Sequence, residues 1–310
     1  MTVDYHLGEP LPIQVNQDTI HLSLGQFSTC SIALKGATVY SYTQNTIERL
    51  FTSSLSSLST SDPTPIRGGV PLCWPIFGPP NKDNELYNKL KQHGFARSST
   101  WQFVKEESEC QGENGCHAVF KLEPTPSITS LFPLPFSLKY LVSLSPSGLS
   151  LSLTVSSPSS AIAPLPFQAL LHSYFRLPDS INPTLVKVTP LENLRYTDKI
   201  LGGAEETERR KEVMVDGPGG EVDRVYLRAS DRLKLSWGEE GAGGGGVEMK
   251  KKNLCDVVLW NPGPEKGKGM KDLEEGGAAR FVCLEPGQTS QWVSLEPGEE
   301  WTGSIDLSFT

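Results

Sequence analysis

The sequence predicts an all-β protein built as one large antiparallel β-sandwich. Three observations lead there. Short runs of β-branched, aromatic and aliphatic residues recur along most of the chain, with turns rich in Pro, Gly, Ser and Asn between them. No helical patterns of about ten to fifteen residues alternate with these runs, which argues against a parallel α/β sheet. The chain has 310 residues, enough to bury a sizeable core, and an all-β chain of that length can fold as one unit. Residues 1–310 are therefore expected to form a single domain.

In chain order, residues 20–24 alternate as a strand does, and 33–42 carry a β-branched and aromatic run after Gly36. Residues 52–65, rich in Ser, Thr and Pro, read as a loop. The segment 67–80 is too rich in proline for a central strand and too apolar for the surface, so it is expected to be buried and irregular. A turn or two of helix is expected over 84–91. Strands are predicted over 100–105, 117–122, 138–144, 149–155, 167–177, 185–188, 222–227, 233–237, 257–260, 281–285, 291–295 and 301–307. The glycine run 241–246 reads as a flexible hairpin connection. It lacks the Gly-Lys-Ser/Thr ending and the helix of a phosphate loop.

Composition excludes several classes of function. A formal net charge of −8 argues against a nucleic-acid partner. The first ten residues lack the basic start and apolar run of a signal peptide, and no run approaches the roughly eighteen apolar residues of a membrane span. The six cysteines are scattered without a Cys-x-x-Cys, and the five histidines supply no partner at zinc spacing. Reduced thiols in a cytoplasmic protein without a metal are the expectation. A Cys110–Cys116 bridge is conceivable, but nothing in the sequence supports it.

Residues 167–177 have two unlike faces. Phe167, Ala169, Leu171, Phe175 and Leu177 fall on one side, broken only by Ser173. Gln168, Leu170, His172, Tyr174 and Arg176 fall on the other, which suits the wall of a polar cleft. His172 is the candidate there, against the alternative of a solvated strand histidine. Two near-identical tetrapeptides, Leu284-Glu285-Pro286-Gly287 and Leu295-Glu296-Pro297-Gly298, each set a carboxylate at a strand end before a Pro-Gly turn. Glu285 follows an apolar run and is favoured; Glu296 precedes the acidic Glu299-Glu300 and reads as solvated. Arg67 precedes Gly68-Gly69, whose missing side chains would let a ligand approach the backbone. Arg97 closes the motif that opens with Gln92. Both guanidinium forks suit a phosphate or carboxylate. Asp223 could accept from sugar hydroxyls or pair with its neighbour Arg224.

Seven motifs occur in an order that resembles the glucose-6-phosphate 1-epimerases of the aldose 1-epimerase superfamily. They are Gly36-Ala-Thr-Val-Tyr-Ser41, Arg67-Gly-Gly-Val-Pro71, Gln92-His-Gly-Phe-Ala-Arg97, Leu171-His-Ser-Tyr-Phe-Arg176, Glu221-Val-Asp-Arg-Val-Tyr226, Trp260-Asn-Pro262 and Val282-Cys-Leu-Glu-Pro-Gly287. The resemblance runs from about residue 33 to residue 301. It implies a galactose-mutarotase-like β-sandwich, a sugar site on the concave sheet and no cofactor. Matched motif by motif, it puts His172 and Glu285 in the catalytic positions and Arg67, Gln92, Arg97 and Asp223 in substrate-binding ones, with His93 beside them. One departure is visible: the family often has Trp-Asn-Pro-Trp, and here Gly263 stands in the last place.

Anomer exchange needs a base at the C1 hydroxyl and an acid at the ring oxygen. Glu285 and His172 fit those roles, and a His172 pKa near or above neutrality would help the acid. The expected substrate is a hexose 6-phosphate taken by a monomer. A mutarotase for unphosphorylated aldoses, a carbohydrate-binding module and a glycosidase using Glu285 with Glu296 remain alternatives at this level.

Overall fold

The strands of the computed structural model are antiparallel throughout, and it describes residues 12–26, 28–238 and 244–310. Among these residues a ten-stranded and an eight-stranded sheet form the two layers, with a five-stranded sheet over Ile13–Glu48 beside them. The alternation that predicted the strands is what fills the core. In Ser137–Ser145 and Gly148–Ser156 every second residue is buried, and the two strands pair along their whole length. The layers meet through large side chains. Phe167 of one sheet lies edge-on to Trp301 of the other, ring centroids 5.5 Å apart. Trp74, fully buried, sits among Phe95, Phe132, Phe136 and Phe167.

The eight-stranded sheet carries the site. Its order is Ala204–Thr207, Arg195–Asp198, Val222–Tyr226, Asp256–Asn261, Phe281–Leu295, Leu165–Leu171 and Leu72–Cys73, with Tyr174–Arg176 also paired to Phe281–Leu295. The stretch 167–177 is thus two strands, not one. At the break, the His172 N–H donates to Pro71 O and the Tyr174 N–H to Gly69 O, so the chain turns its hydrogen bonds toward the buried 67–80 segment. The register nevertheless carries across. Leu170 lies opposite Gly287 and Tyr174 opposite Cys283, which places His172 opposite Glu285.

Other differences have local reasons. Phe281–Leu295 is one strand of 15 residues, so Glu285 sits mid-strand and Pro286-Gly287 makes no turn. Proline is accommodated because its missing N–H costs one ladder bond only, opposite Val257. The second copy of the tetrapeptide is a turn, with Glu299 N–H donating to Glu296 O. Residues 33–42 are the end of Ser28–Ala33 and the start of Thr38–Gln44, folded back at Gly36 and Ala37, both at positive φ. Residues 84–91 make turns and no helix, held by Asn84, whose carbonyl accepts from Tyr87 and Asn88. Only Gln102–Phe103 of the 100–105 prediction is strand.

The strand Gly245–Lys252 was hidden by its charges. Its buried face includes Lys251, whose ammonium donates to the carbonyls of Ala229 and Leu254. It pairs antiparallel with Arg232–Trp237, so the glycine run does join a hairpin, although residues 241–243 lie outside the described ones. Gly68 and Gly69 answer to packing and not to a ligand. Both have positive φ, and a Cβ on Gly69 would stand 2.1 Å from Val39 O. Cys110 and Cys116 face each other across adjacent strands and form a disulfide, against the expectation of reduced thiols for that pair; Cys30, Cys73, Cys255 and Cys283 are free. Among the described residues no helix is long and apolar enough to cross a membrane.

The long strand is held in place by Asp256. Its buried carboxylate accepts from the backbone N–H groups of Arg228, Thr289 and Ser290 and from the hydroxyls of Thr289 and Ser290. Truncation to Ala leaves those donors without an acceptor. Asp256→Ala is expected to lose about 3 kcal/mol or more of stability, read as a lower denaturant midpoint, whereas Ser150→Ala at the exposed Ser150–Asp306 contact should shift it little.

Candidate active site

Successive side chains of a strand point to opposite faces, so residues two apart share one. Two rows of the sheet follow from the register. One runs Val225, Val258, Glu285, His172; the next runs Asp223, Trp260, Cys283, Tyr174. All eight face the same side, and a cleft of about 330 Å³ opens above them. His172, Glu285, Asp223, Val258 and Trp260 line it from the sheet. Arg67, Phe77, Gly78, Pro79, Gln92, His93 and Arg97 close it from the loops, with Lys199, Lys266 and Met270 at the rim. The six residues singled out in the sequence, some two hundred positions apart at the extremes, therefore meet in one cleft.

His172 and Glu285 form the floor. His172 Nδ1 lies 3.2 Å from Glu285 Oε1, and both side chains are almost wholly buried. The His172 ring stacks on Tyr174, centroids 4.7 Å apart and 12° from parallel, and meets Trp260 edge-on. Tyr174 in turn accepts from Arg67 Nη1, while Arg67 Nε and Nη2 both donate to Asp272. Arg176, expected in the same row, is not among the residues lining the cleft. The aromatic side chains lining the cleft are Trp260 and Phe77, with the His93 and His172 imidazoles. Gly263 has φ +66°, and a Cβ there would lie 2.9 Å from Glu221 N.

Neighbouring residues of one strand part company. Asp223 faces the cleft and pairs with Lys199 at 3.4 Å, while Arg224 faces away and pairs with Asp198 at 2.9 Å. Lys199 also stands over the Phe77 ring, 4.3 Å from its centroid. Sequence reasoning missed Lys199 and Lys266 because neither lies in a glycine-flanked arginine motif; only the pairing of neighbouring strands brings Lys199 to Asp223. Arg97 donates to Gln92 O, which ties the two ends of its loop together. Glu296 is exposed on the far turn and has no part in the cleft.

Burial dominates the electrostatics of the pair. It raises the Glu285 carboxyl well above the usual carboxylate range, against the pull of Lys199, Arg97 and Arg67. It lowers His172 well below the usual imidazole value, helped by His93 and the same cations. A carboxylate does stand beside His172, but the imidazole is lowered, chiefly by burial, and not held near or above neutrality as the acid role would favour. Asp223 is pushed up, chiefly by burial.

The Aldose 1-epimerase family model matches residues 18–308. The chain belongs to that family. A protein of Cenchrus ciliaris named "Putative glucose-6-phosphate 1-epimerase" is 31% identical over 281 residues, covering 89% of this chain and 80% of its own. One of the same name from Salmonella typhimurium is 29% identical over 82% of this chain and 78% of its own. Among solved structures, a "putative mutarotase (YeaD)" from Salmonella typhimurium matches with a TM-score of 0.77 at 24% identity, covering 96% of this chain and 92% of that one. The Slr1438 protein of Synechocystis sp. PCC 6803 matches with a TM-score of 0.75 at 20% identity, covering 98% and 99%. The chain is thus an isomerase of the aldose 1-epimerase type with a galactose-mutarotase-like fold.

His93 is fixed by its surroundings. Its backbone has φ +65°, and its Nδ1 accepts from the Gly78 N–H at 3.1 Å. Nε2 therefore carries the proton; the Gln92 amide nitrogen lies 3.2 Å from it, and because two donors cannot pair, the amide is assigned the flipped orientation with its oxygen toward the ring. Burial, then Arg97, Lys199 and Arg67, lower its pKa to about 3. A lowered imidazole stays neutral at any pH above that value. Nitrogen NMR of the imidazoles should show His93 as the neutral Nε2–H tautomer from pH 5 to pH 8; titration near pH 6.5 would contradict the assigned contact.

Proposed function

We propose that this protein interconverts the α and β anomers of a hexose 6-phosphate, glucose 6-phosphate foremost, by opening and closing the sugar ring at His172 and Glu285. The observation that carries the reading is the cleft itself: a buried acid–base pair on its floor and four cations, Arg67, Arg97, Lys199 and Lys266, around it. The names of the relatives point the same way.

In this reading Glu285 takes the proton of the C1 hydroxyl while His172 gives one to the ring oxygen. The hemiacetal bond breaks, C1–C2 rotates, and closure on the other face returns both protons. The active form needs one proton on the pair, and two groups this close titrate as a unit. The cations that hold His172 low are those a phosphate dianion would meet. Binding the dianion would offset them and favour the proton on the imidazole, where the reaction needs it. Trp260, Phe77 and Tyr174 keep water from the pair, and Asp223 and Gln92 are placed to bind ring hydroxyls.

The duplicated tetrapeptide provides a direct test. Glu285→Gln should remove anomer exchange by roughly two to four powers of ten, while Glu296→Gln should be nearly silent. Exchange NMR on α/β glucose 6-phosphate measures both, and the opposite ranking would remove Glu285 from the mechanism. His172→Asn should match Glu285→Gln, with the double variant little worse than either, since the two act together.

Phosphate selectivity divides the cations. Arg67 is held by Asp272 and Tyr174, and Tyr174 supports His172, so Arg67→Ala should lower exchange on glucose and glucose 6-phosphate alike. Arg97 and Lys199 have fewer fixed partners. Hydrogen bonds to charged groups contribute on the order of 1.5–3 kcal/mol. Arg97→Ala and Lys199→Ala should therefore lower kcat/KM for the phosphorylated sugar by roughly ten- to a hundredfold and leave the free hexose nearly unchanged. Equal losses on the two sugars would overturn the phosphate assignment.

A further inference from the structure

Beside the floor of the cleft, under its surface, lies a third group that anomer exchange does not use. Cys283 lies two residues before Glu285 on the same face of the same strand, wholly buried. His172 is opposite Glu285 and diagonal to Cys283. One donor atom from each of His172, Cys283 and Glu285 lies within 4.8 Å of the other two. The imidazole is nine-tenths buried, and its Nδ1, on the Glu285 side, makes no hydrogen bond. A buried ring nitrogen left without a partner at that point is a ligand atom in waiting.

We propose that His172, Glu285 and Cys283 form a binding site for a thiophilic divalent cation, zinc foremost, and that its occupancy blocks the acid–base pair. Imidazole nitrogen, carboxylate oxygen and thiolate sulfur are the donor types that zinc takes, and three of them leave a fourth position open toward the cleft. Such a set selects against magnesium and calcium, which prefer oxygen ligands alone. The site is built on paired strands, so its ligands need little rearrangement. Charge does not forbid a dication, because three of the four cations around the cleft are already paired with carboxylates: Arg67 with Asp272, Lys199 with Asp223 and Lys266 with Glu221.

Binding forms zinc bonds to sulfur, oxygen and nitrogen as the Cys283 thiol and the His172–Glu285 pair each release one proton to the solvent; nothing is oxidised or reduced. The occupied pair can neither accept the C1 proton nor donate one to the ring oxygen. Cys283 transfers no proton in the reaction, so its replacement spares exchange. Only the inhibitory consequence rests on the mutarotase reading; the binding itself does not.

The test uses the whole chain freed of metal with a chelator. Calorimetry should show one zinc per chain, and cadmium should give the ultraviolet charge-transfer band of a metal thiolate. Zinc should inhibit exchange of glucose 6-phosphate competitively and reversibly, with magnesium inert at the same concentration. Cys283→Ser and Cys283→Ala should keep exchange while weakening zinc binding and inhibition at least tenfold. Cys255→Ser, at the one partly exposed free thiol, should leave both unchanged. Wild-type zinc affinity in either Cys283 variant, or no thiolate band with cadmium, overturns the site. Should both variants fail to fold, displacement of the cadmium band by glucose 6-phosphate supports the site, and its persistence overturns it. Binding without anomer exchange on any sugar would remove the mutarotase reading and leave the metal site standing.

Discussion

The antiparallel register between the strand Phe281–Leu295 and the broken strand around His172 is the constraint on which the site depends. It makes His172 and Glu285 cross-strand neighbours and sets Tyr174 and Cys283 in the next row on the same face. A slip of one residue would turn every side chain of the long strand to the other face and carry Glu285 out of the cleft. Several features resist that slip. Asp256 gathers donors from Arg228, Thr289 and Ser290. The two glycines at 68 and 69 let the loop reach Phe51 and Val39 closely enough to bond the broken strand. Phe167, Ala169, Leu171, Phe175 and Leu177 fill the core from the opposite face.

The fold buries a carboxylate and an imidazole together, which is costly without compensation. Here the compensation is distributed. Aromatic rings exclude water around the pair, while Arg67, Arg97 and Lys199 supply positive charge without touching it. The same cations raise the cost of a second proton on His172. A pair held in this way carries its proton poised between two acceptors, and a bound anion can decide which one has it.

The sequence held more of the fold than of the site's geometry. Alternating burial over Ser137–Ser145 and Gly148–Ser156 is legible because one face is core and the other is not. The apolar, proline-rich segment around Trp74 is legible as buried because neither a central strand nor the surface suits it. Legibility failed where tertiary context overrode a local rule. Lys251 breaks an apolar pattern yet points inward, since two carbonyls receive its ammonium. Lys199 reaches the cleft only because the strand ending at Asp198, just before it, runs beside Val222–Tyr226.

The tetrapeptide Leu-Glu-Pro-Gly marks the boundary. Its two copies are chemically the same, and sequence alone read both as turns with a carboxylate at a strand end. One is a turn, because the chain must reverse there into Glu300–Phe309. The other runs straight on, because Asp256–Asn261 and the broken His172 strand clamp it from both sides. Residue types, their order and their alternation determined an all-β sandwich and the groups able to move a proton or hold an anion. Which of those groups are neighbours, which side chain is dry and which way a proton leans were decided by strand register and burial, and these exist only once distant segments have met.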